Sequence, residues 1–137
     1  MKRHGNLWDG MISCENLLRA AHAAARGKRF KPGVVRFLFD LERHVLRLHE
    51  QLAGKTYRPG PYRTFTIYEG KTRQISAAPF RDRVVHHALT RVREPIFERS
   101  FLFDSYACRK GKGTHAAVDR CQRFARRYRY DCVPSRP

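Results

Sequence analysis

Residues 71–89, KTRQISAAPFRDRVVHHAL, join two kinds of secondary structure in one short stretch. Three readings compete for it: a metal site built on the paired histidines, a grip for phosphate, or an amphipathic helix with a polar start. Its first part, KTRQIS, follows RTFTIY (63–68) across Glu69-Gly70, and both segments are rich in Thr, Ile and aromatics. That pattern predicts a β-hairpin. Side chains alternate along a strand, so Lys71 and Arg73 project from one face. Pro79 then opens a helix with Asp82 in its first turn. Val85, Ala88, Leu89, Val92 and Ile96 form its apolar stripe, and Pro95 is expected to kink or interrupt it.

On the N-terminal side, Pro59 and Pro61 exclude a helix before the hairpin. SCENLLRAAHAAARG (13–27) predicts a helix capped by Ser13, with Glu15 suiting its positive end and Gly27 stopping it. KPGVVRFLFDLERHVLRLHEQLAG (31–54) predicts one long helix. Pro32 fits its first turn, Gly54 its end, and Leu38, Leu41, Val45, Leu48 and Leu52 make a core-facing stripe. On the C-terminal side, DSYACRKGKGTH (104–115) is a Gly- and Lys-rich loop. Thr114 is placed to cap a last helix with the stripe Val118, Cys121, Phe124, Ala125 and Tyr128. The expected architecture is α+β, mostly helical with one β-hairpin.

The 137 residues carry 29 Lys plus Arg against 12 Asp plus Glu, a formal net charge of +17. Such a field attracts polyanions, with nucleic acid first and an anionic membrane surface second. A hydrophobic content of 42% argues for a folded core with a basic face over a disordered basic tail. No apolar run approaches the roughly 18 residues of a membrane span. The start shows no signal-peptide stretch. The expected compartment is the cytoplasm, with no membrane partner. Cys14, Cys108, Cys121 and Cys132 form no C-x-x-C pair, and a disulfide framework is not expected.

Most catalytic chemistries find no support in the residues. His86 and His87 are adjacent, so on a helix they point about 100° apart and do not share a metal as an i, i+4 pair would. They are expected to border the buried stripe and make polar contacts. His115, Cys108 and Cys121 match no known ligand spacing. Ser76, Ser100 and Ser105 lie in no nucleophile elbow. Asp82, between Arg81 and Arg83, looks like a salt-bridged helix cap. No catalytic or metal-binding residue is assigned.

The basic residues say more. Arg109, Lys110, Lys112, Arg120, Arg123, Arg126, Arg127 and Arg129 crowd residues 105–130 against Asp119 alone. The Lys110-Gly111-Lys112-Gly113 loop can lay N–H groups and ammoniums on phosphates without the spacing of a P-loop. Lys71 and Arg73 are a second candidate, a point charge and a fork fit to clamp a triphosphate.

The segment KTRQISAAPFRDRVVHHALTRVREPIFERSFLFDSYACRKGKGTHAAVDR (71–120) resembles the fingers region of bacterial reverse transcriptases, the RNA-directed DNA polymerases of group II introns, retrons and diversity-generating retroelements. The matching pieces, in order, are K-x-R-x-I with AAPFRDRVVHHAL, then EPIFE, then SYACRKGKGTHAA. Residues 1–56 resemble, more loosely, a helical N-terminal extension, and 57–130 the fingers of a right-hand polymerase fold, with palm and thumb absent. The resemblance implies that Lys71 and Arg73 touch the triphosphate of an incoming deoxynucleotide. It places Arg109 and Lys112 near template and nucleotide and makes the 79–89 helix a scaffold, while Lys110, Arg120, Arg123 and Arg127 are expected to contact nucleic acid on the strength of the charge run alone. The implied partners are an RNA template, a DNA primer, a deoxynucleotide triphosphate and a separately encoded palm and thumb. Magnesium is implied for the complete enzyme of the family and no cofactor for this chain. Residues 131–137, DCVPSRP, depart from the family, which continues into an apolar strand with a catalytic aspartate and later a Tyr-x-Asp-Asp turn. Asp131 is not read as that aspartate. The expectation is a truncated or frameshifted fingers fragment, inactive alone, that binds nucleic acid. The alternative is a free-standing basic RNA-binding module.

Overall fold

The structure, a computed structural model, describes residues 4–128. It is mostly helical with one two-stranded antiparallel hairpin, an α+β architecture. Arg129, Tyr130, Cys132 and the divergent 131–137 tail lie outside the described residues. The chain divides into two compact units, Met1–Phe97 and Glu98–Pro137.

The first unit holds the core. Helix α1 (Leu7–Ile12) precedes Ser13 and was not expected; at six residues it is too short to show a period. Helix α2 (Cys14–Ala25) starts where Ser13 predicts, with the Asn16 N–H donating to the Ser13 Oγ. That contact satisfies one of the N–H groups that a helix start leaves without a partner. Ser13→Ala is expected to cost about 1 kcal/mol, read as a lower urea midpoint at an unchanged m-value. Leu17, Ala20, Ala21, Ala24 and Ala25 face inward, and their small side chains let other helices approach.

The 31–54 segment is two helices, a correction to the single one expected. Helix α3 (Pro32–Phe39) and helix α4 (Leu41–Ala53) meet at Asp40, whose φ of −121° and ψ of 49° leave the helical range. Val34, Phe37, Val45, Leu48 and Leu52 are buried, and their spacing stays in phase through the break. Apolar period therefore does not reveal it. The signal is Asp40 itself, a residue whose carboxylate favours helix starts over interiors. Pro32 and Gly54 sit at the ends as expected.

Strands β1 (Arg63–Glu69) and β2 (Lys71–Ala77) pair antiparallel in the register Phe65↔Ile75, Ile67↔Arg73 and Glu69↔Lys71. Gly70 at the tip has a φ of +70°, open to glycine at no steric cost. Most of both strands is exposed, and their principal contact is with each other.

Helix α5 (Phe80–Glu98) follows Pro79 and carries Phe80, Val84, Val85 and Ala88 into the same core as α2 and α4. The core is thus continuous across residues 56 and 57. Phe37 meets Phe80 edge-on at 5.1 Å. His49 Nδ1 donates to the Ile12 carbonyl at 2.8 Å, tying α4 to the end of α1. For α5, the expected interruption and the length of the expected stripe are corrected. Pro95 does not end the helix, because only its final residues follow and one missing N–H there costs one bond. The stripe also fades: Leu89 is 43% exposed.

The second unit is built differently. Helix α6 (Thr114–Arg127) is capped by Gly113, and Thr114 is its first helical residue instead of its cap. None of its residues is buried, so the Val118, Cys121, Phe124, Ala125 and Tyr128 stripe meets no core among the described residues. No helix among the described residues is long and apolar enough to cross a membrane.

Candidate nucleic-acid interface

The hairpin is fastened at its base by a buried carboxylate. Asp82 is 2% exposed. It is a staple between segments, which corrects its reading as a cap of its own helix. Its Oδ1 accepts from the Tyr57 hydroxyl and its Oδ2 from the Gly60 N–H, both at 2.7 Å. Arg81 adds a 3.3 Å contact to the same carboxylate, donates to the Arg58 carbonyl at 2.6 Å, and lies 5.2 Å over the Tyr57 ring. Arg83 turns instead toward the Phe80 ring, at 5.6 Å. Burial opposes the Asp82 charge, but the donors from Tyr57, Gly60 and Arg81 outweigh it and hold the carboxyl below its usual value. Burial, and then the adjacent carboxylate, push the Tyr57 hydroxyl up to about 12. Gly60 suits this close approach, since a Cβ there would crowd Pro79 Cγ at 3.0 Å.

Beyond that base, the register puts Lys71 and Arg73 on one face with Ile67 and Phe65. Both cations are exposed, and neither has a hydrogen-bond or ion-pair partner among the described residues. Glu69 stands opposite Lys71 in the register, so the tip carries two cations and one carboxylate. Their donors are open to a ligand.

Most of the candidate cations of the second unit are engaged among the described residues. Arg109 donates from Nε and a terminal nitrogen to Glu98, at 2.8 and 2.5 Å. Its other terminal nitrogen donates to the Leu102 and Ser105 carbonyls, at 2.8 and 3.0 Å, and its side chain is 10% exposed. Lys112 donates to the Phe103 carbonyl and lies over the Phe103 and Tyr106 rings, at 4.3 and 5.0 Å. Arg120 pairs with Asp104 at 2.8 Å and lies 4.4 Å over the Phe124 ring. Arg123 donates to the Asp119 carbonyl at 3.3 Å, and Arg127 sits 5.7 Å over Tyr128. Lys110 is exposed. The hydrogen bond from Arg109 lowers Glu98, and that from Arg120 lowers Asp104 while raising Arg120 itself. With no buried residue among its described residues, this unit is held by ion pairs and cation–aromatic contacts. Arg109 is a brace of the loop, and its fork has little left to give a phosphate.

Sequence reasoning missed Glu98 and Asp104 as the acids that tie up these cations. Each is separated by more than ten residues from its partner, beyond any helical spacing. His86 and His87 are both exposed. Partial desolvation and the charges of Arg83, Lys28 and His86 hold His87 below the usual imidazole value. Among the described residues no three His, Cys, Asp or Glu side chains converge as metal ligands would.

No family model matches the chain. Protein YkfC of Escherichia coli (strain K12) is 34% identical to it over 73 residues, a match that takes in 52% of this chain. The chain spans about a fifth of the length of that relative, 19% of it.

Proposed function

We propose that the chain is the fingers region of a reverse transcriptase with a helical N-terminal extension, and that its hairpin binds nucleotide triphosphate while its basic surface binds nucleic acid. The observation that carries this reading is the free pair Lys71 and Arg73, two residues apart on one face of a hairpin whose base is clamped by Asp82. A fixed base and open cations suit a phosphate grip, because the positioning cost is met before the ligand arrives. The motif order in the sequence supports the family. An RNA template, a DNA primer and a deoxynucleotide triphosphate are the proposed partners, and the activity proposed for this chain is binding. Lys71→Ala/Arg73→Ala is expected to weaken binding of a deoxynucleoside triphosphate about tenfold by titration calorimetry, since two exposed charge-assisted contacts are lost. Equal affinity in the variant overturns the hairpin grip.

A second reading rests on the net charge of +17, which serves any polyanion. A free-standing RNA-binding module would bind RNA with normal affinity in that variant and show no affinity for triphosphate in either form.

A further inference from the structure

The first unit carries a second basic feature, on the face away from its core. Arg19 and His22 of α2 and Arg26, which caps its C-terminal end, stand in steps of three and four, opposite the buried alanines. With Arg29 and with Arg91 of α5 they line a hollow of about 420 Å³ that no acidic residue lines among the described residues. We infer that this four-arginine cleft is a phosphate-binding site, separate from the hairpin.

Three observations set it apart from a solvated basic face. The first is that Arg91 is held in place. Its Nε donates to Asn16 Oδ1 at 3.1 Å, and the Asn16 amide nitrogen donates to the Met11 and Ala88 carbonyls at 3.0 and 3.1 Å. One amide thus joins α1, α2 and α5 and fixes the guanidinium at the cleft, with its terminal nitrogens uncommitted among the described residues. The second concerns Arg26 and Arg29. Neither has a side-chain partner among the described residues, and two carbonyls at the end of α2 are taken by backbone donors, Ala23 by the Arg26 N–H at 3.3 Å and Ala25 by the Lys28 N–H at 2.9 Å. The third is that Arg19 pairs with Glu15 at 2.6 Å on open surface, with both side chains more than 60% exposed. Such a pair holds weakly and yields to a better anion.

Guanidinium groups from three segments around one hollow call for an anion with several charges and oxygens pointing several ways. A single carboxylate would leave most of that charge uncompensated. Phosphate groups meet both needs, and the planar fork matches them bidentately. They can come from a single-stranded nucleic-acid backbone or from a free polyphosphate. The inference does not rest on the hairpin, so either can fail alone.

The test uses the full chain and two probes, a fluorescent single-stranded RNA and tripolyphosphate. Arg26→Glu/Arg29→Glu is compared with Arg36→Glu/Arg47→Glu, which reverses the same charge at exposed positions of α3 and α4. Each phosphate contact to a single strand contributes about 0.7 to the slope of log affinity against log salt, so the cleft variant should lose about 1.4. Its RNA affinity should fall about tenfold at 0.15 M salt, and the control variant should fall much less. A parallel loss of tripolyphosphate binding assigns the cleft to free polyphosphate as well, and a loss for RNA alone assigns it to the backbone. Equal effects of the two reversals, no effect of either, or a wild-type chain that binds neither probe overturns the site. Should the cleft variant fail to fold, phenylglyoxal modification of the wild-type chain decides. RNA or tripolyphosphate should protect Arg26, Arg29 and Arg91, and unaltered labelling by both overturns the proposal.

Discussion

Asp82→Ala is expected to lower the unfolding free energy of the first unit by about 3 kcal/mol and to free the hairpin from its base. The substitution strands the Tyr57 hydroxyl and the Gly60 N–H, which both meet the buried carboxylate at 2.7 Å. An orphaned buried donor costs about 1–3 kcal/mol, and two half-buried ones, each nearer the lower end, are made at once. Arg81 is spared the same penalty because its side chain is 37% exposed and water can take over. Asp82→Asn should recover part of the loss, since its amide oxygen can accept from the Gly60 N–H and its amide N–H can donate to the Tyr57 hydroxyl, but the charge that strengthens both bonds is gone. Tyr57→Phe should cost about 1 kcal/mol in the wild-type chain and should recover part of the loss once Asp82 is gone, because it removes the stranded hydroxyl. Amide exchange in β1 and β2 should speed up in Asp82→Ala beyond what the global loss explains. Unchanged exchange would show that the clamp does not hold the hairpin.

The same clamp sets a pH dependence. The Asp82 carboxyl is depressed in the folded chain, so its contribution is present above the ordinary value of 3.8 and is lost as pH falls through the folded value. Tyr57 is raised from 10.0 to about 12, so its contribution persists to about pH 10 and is lost as pH rises toward 12. Urea midpoints of wild type and Asp82→Ala should therefore converge at both extremes and lie furthest apart between them.

Local signals in the sequence reached as far as local interactions do. Ser13, Pro32, Gly54, Gly70 and Pro79 mark ends and turns by their own backbone chemistry, and the helix starts and hairpin follow them. The hairpin face of Lys71 and Arg73 follows from a period of two. The break at Asp40 escaped because the apolar residues stay in phase across it. The role of Asp82 escaped because its partners lie 22 and 25 residues earlier, where neighbouring Arg81 and Arg83 suggested a simpler pairing. The α2 basic face was open to reading, since Arg19, His22 and Arg26 sit at helical spacing, but Arg91 joins them only through the fold. In the second unit the charge count was visible and its use was not. Eight cations suggested an open surface, whereas Glu98 and Asp104 occupy Arg109 and Arg120.

That last contrast yields the second large effect. Arg109→Ala should open the 98–112 segment, raising chymotrypsin cleavage at Phe101, Phe103 and Tyr106 about tenfold or more, as the open population grows. It would also weaken RNA binding, but so would removal of a cation that touches phosphate, and the single variant does not separate the two. Glu98→Ala does. It raises the net charge by one, so if Arg109 is merely a basic contact, freeing it should strengthen RNA binding and steepen the salt dependence. In the structure Glu98 accepts two of the bonds that fix Arg109, at 2.8 and 2.5 Å, and the Leu102 and Ser105 carbonyls depend on the same guanidinium. Removing the acid should then loosen the loop, speed cleavage in the same direction as Arg109→Ala, and leave RNA binding no stronger. Tighter binding with unchanged proteolysis in Glu98→Ala would return Arg109 to the phosphates. Faster proteolysis in both variants makes it the brace on which the loop's other cations, Lys110 and Lys112, depend for their placement.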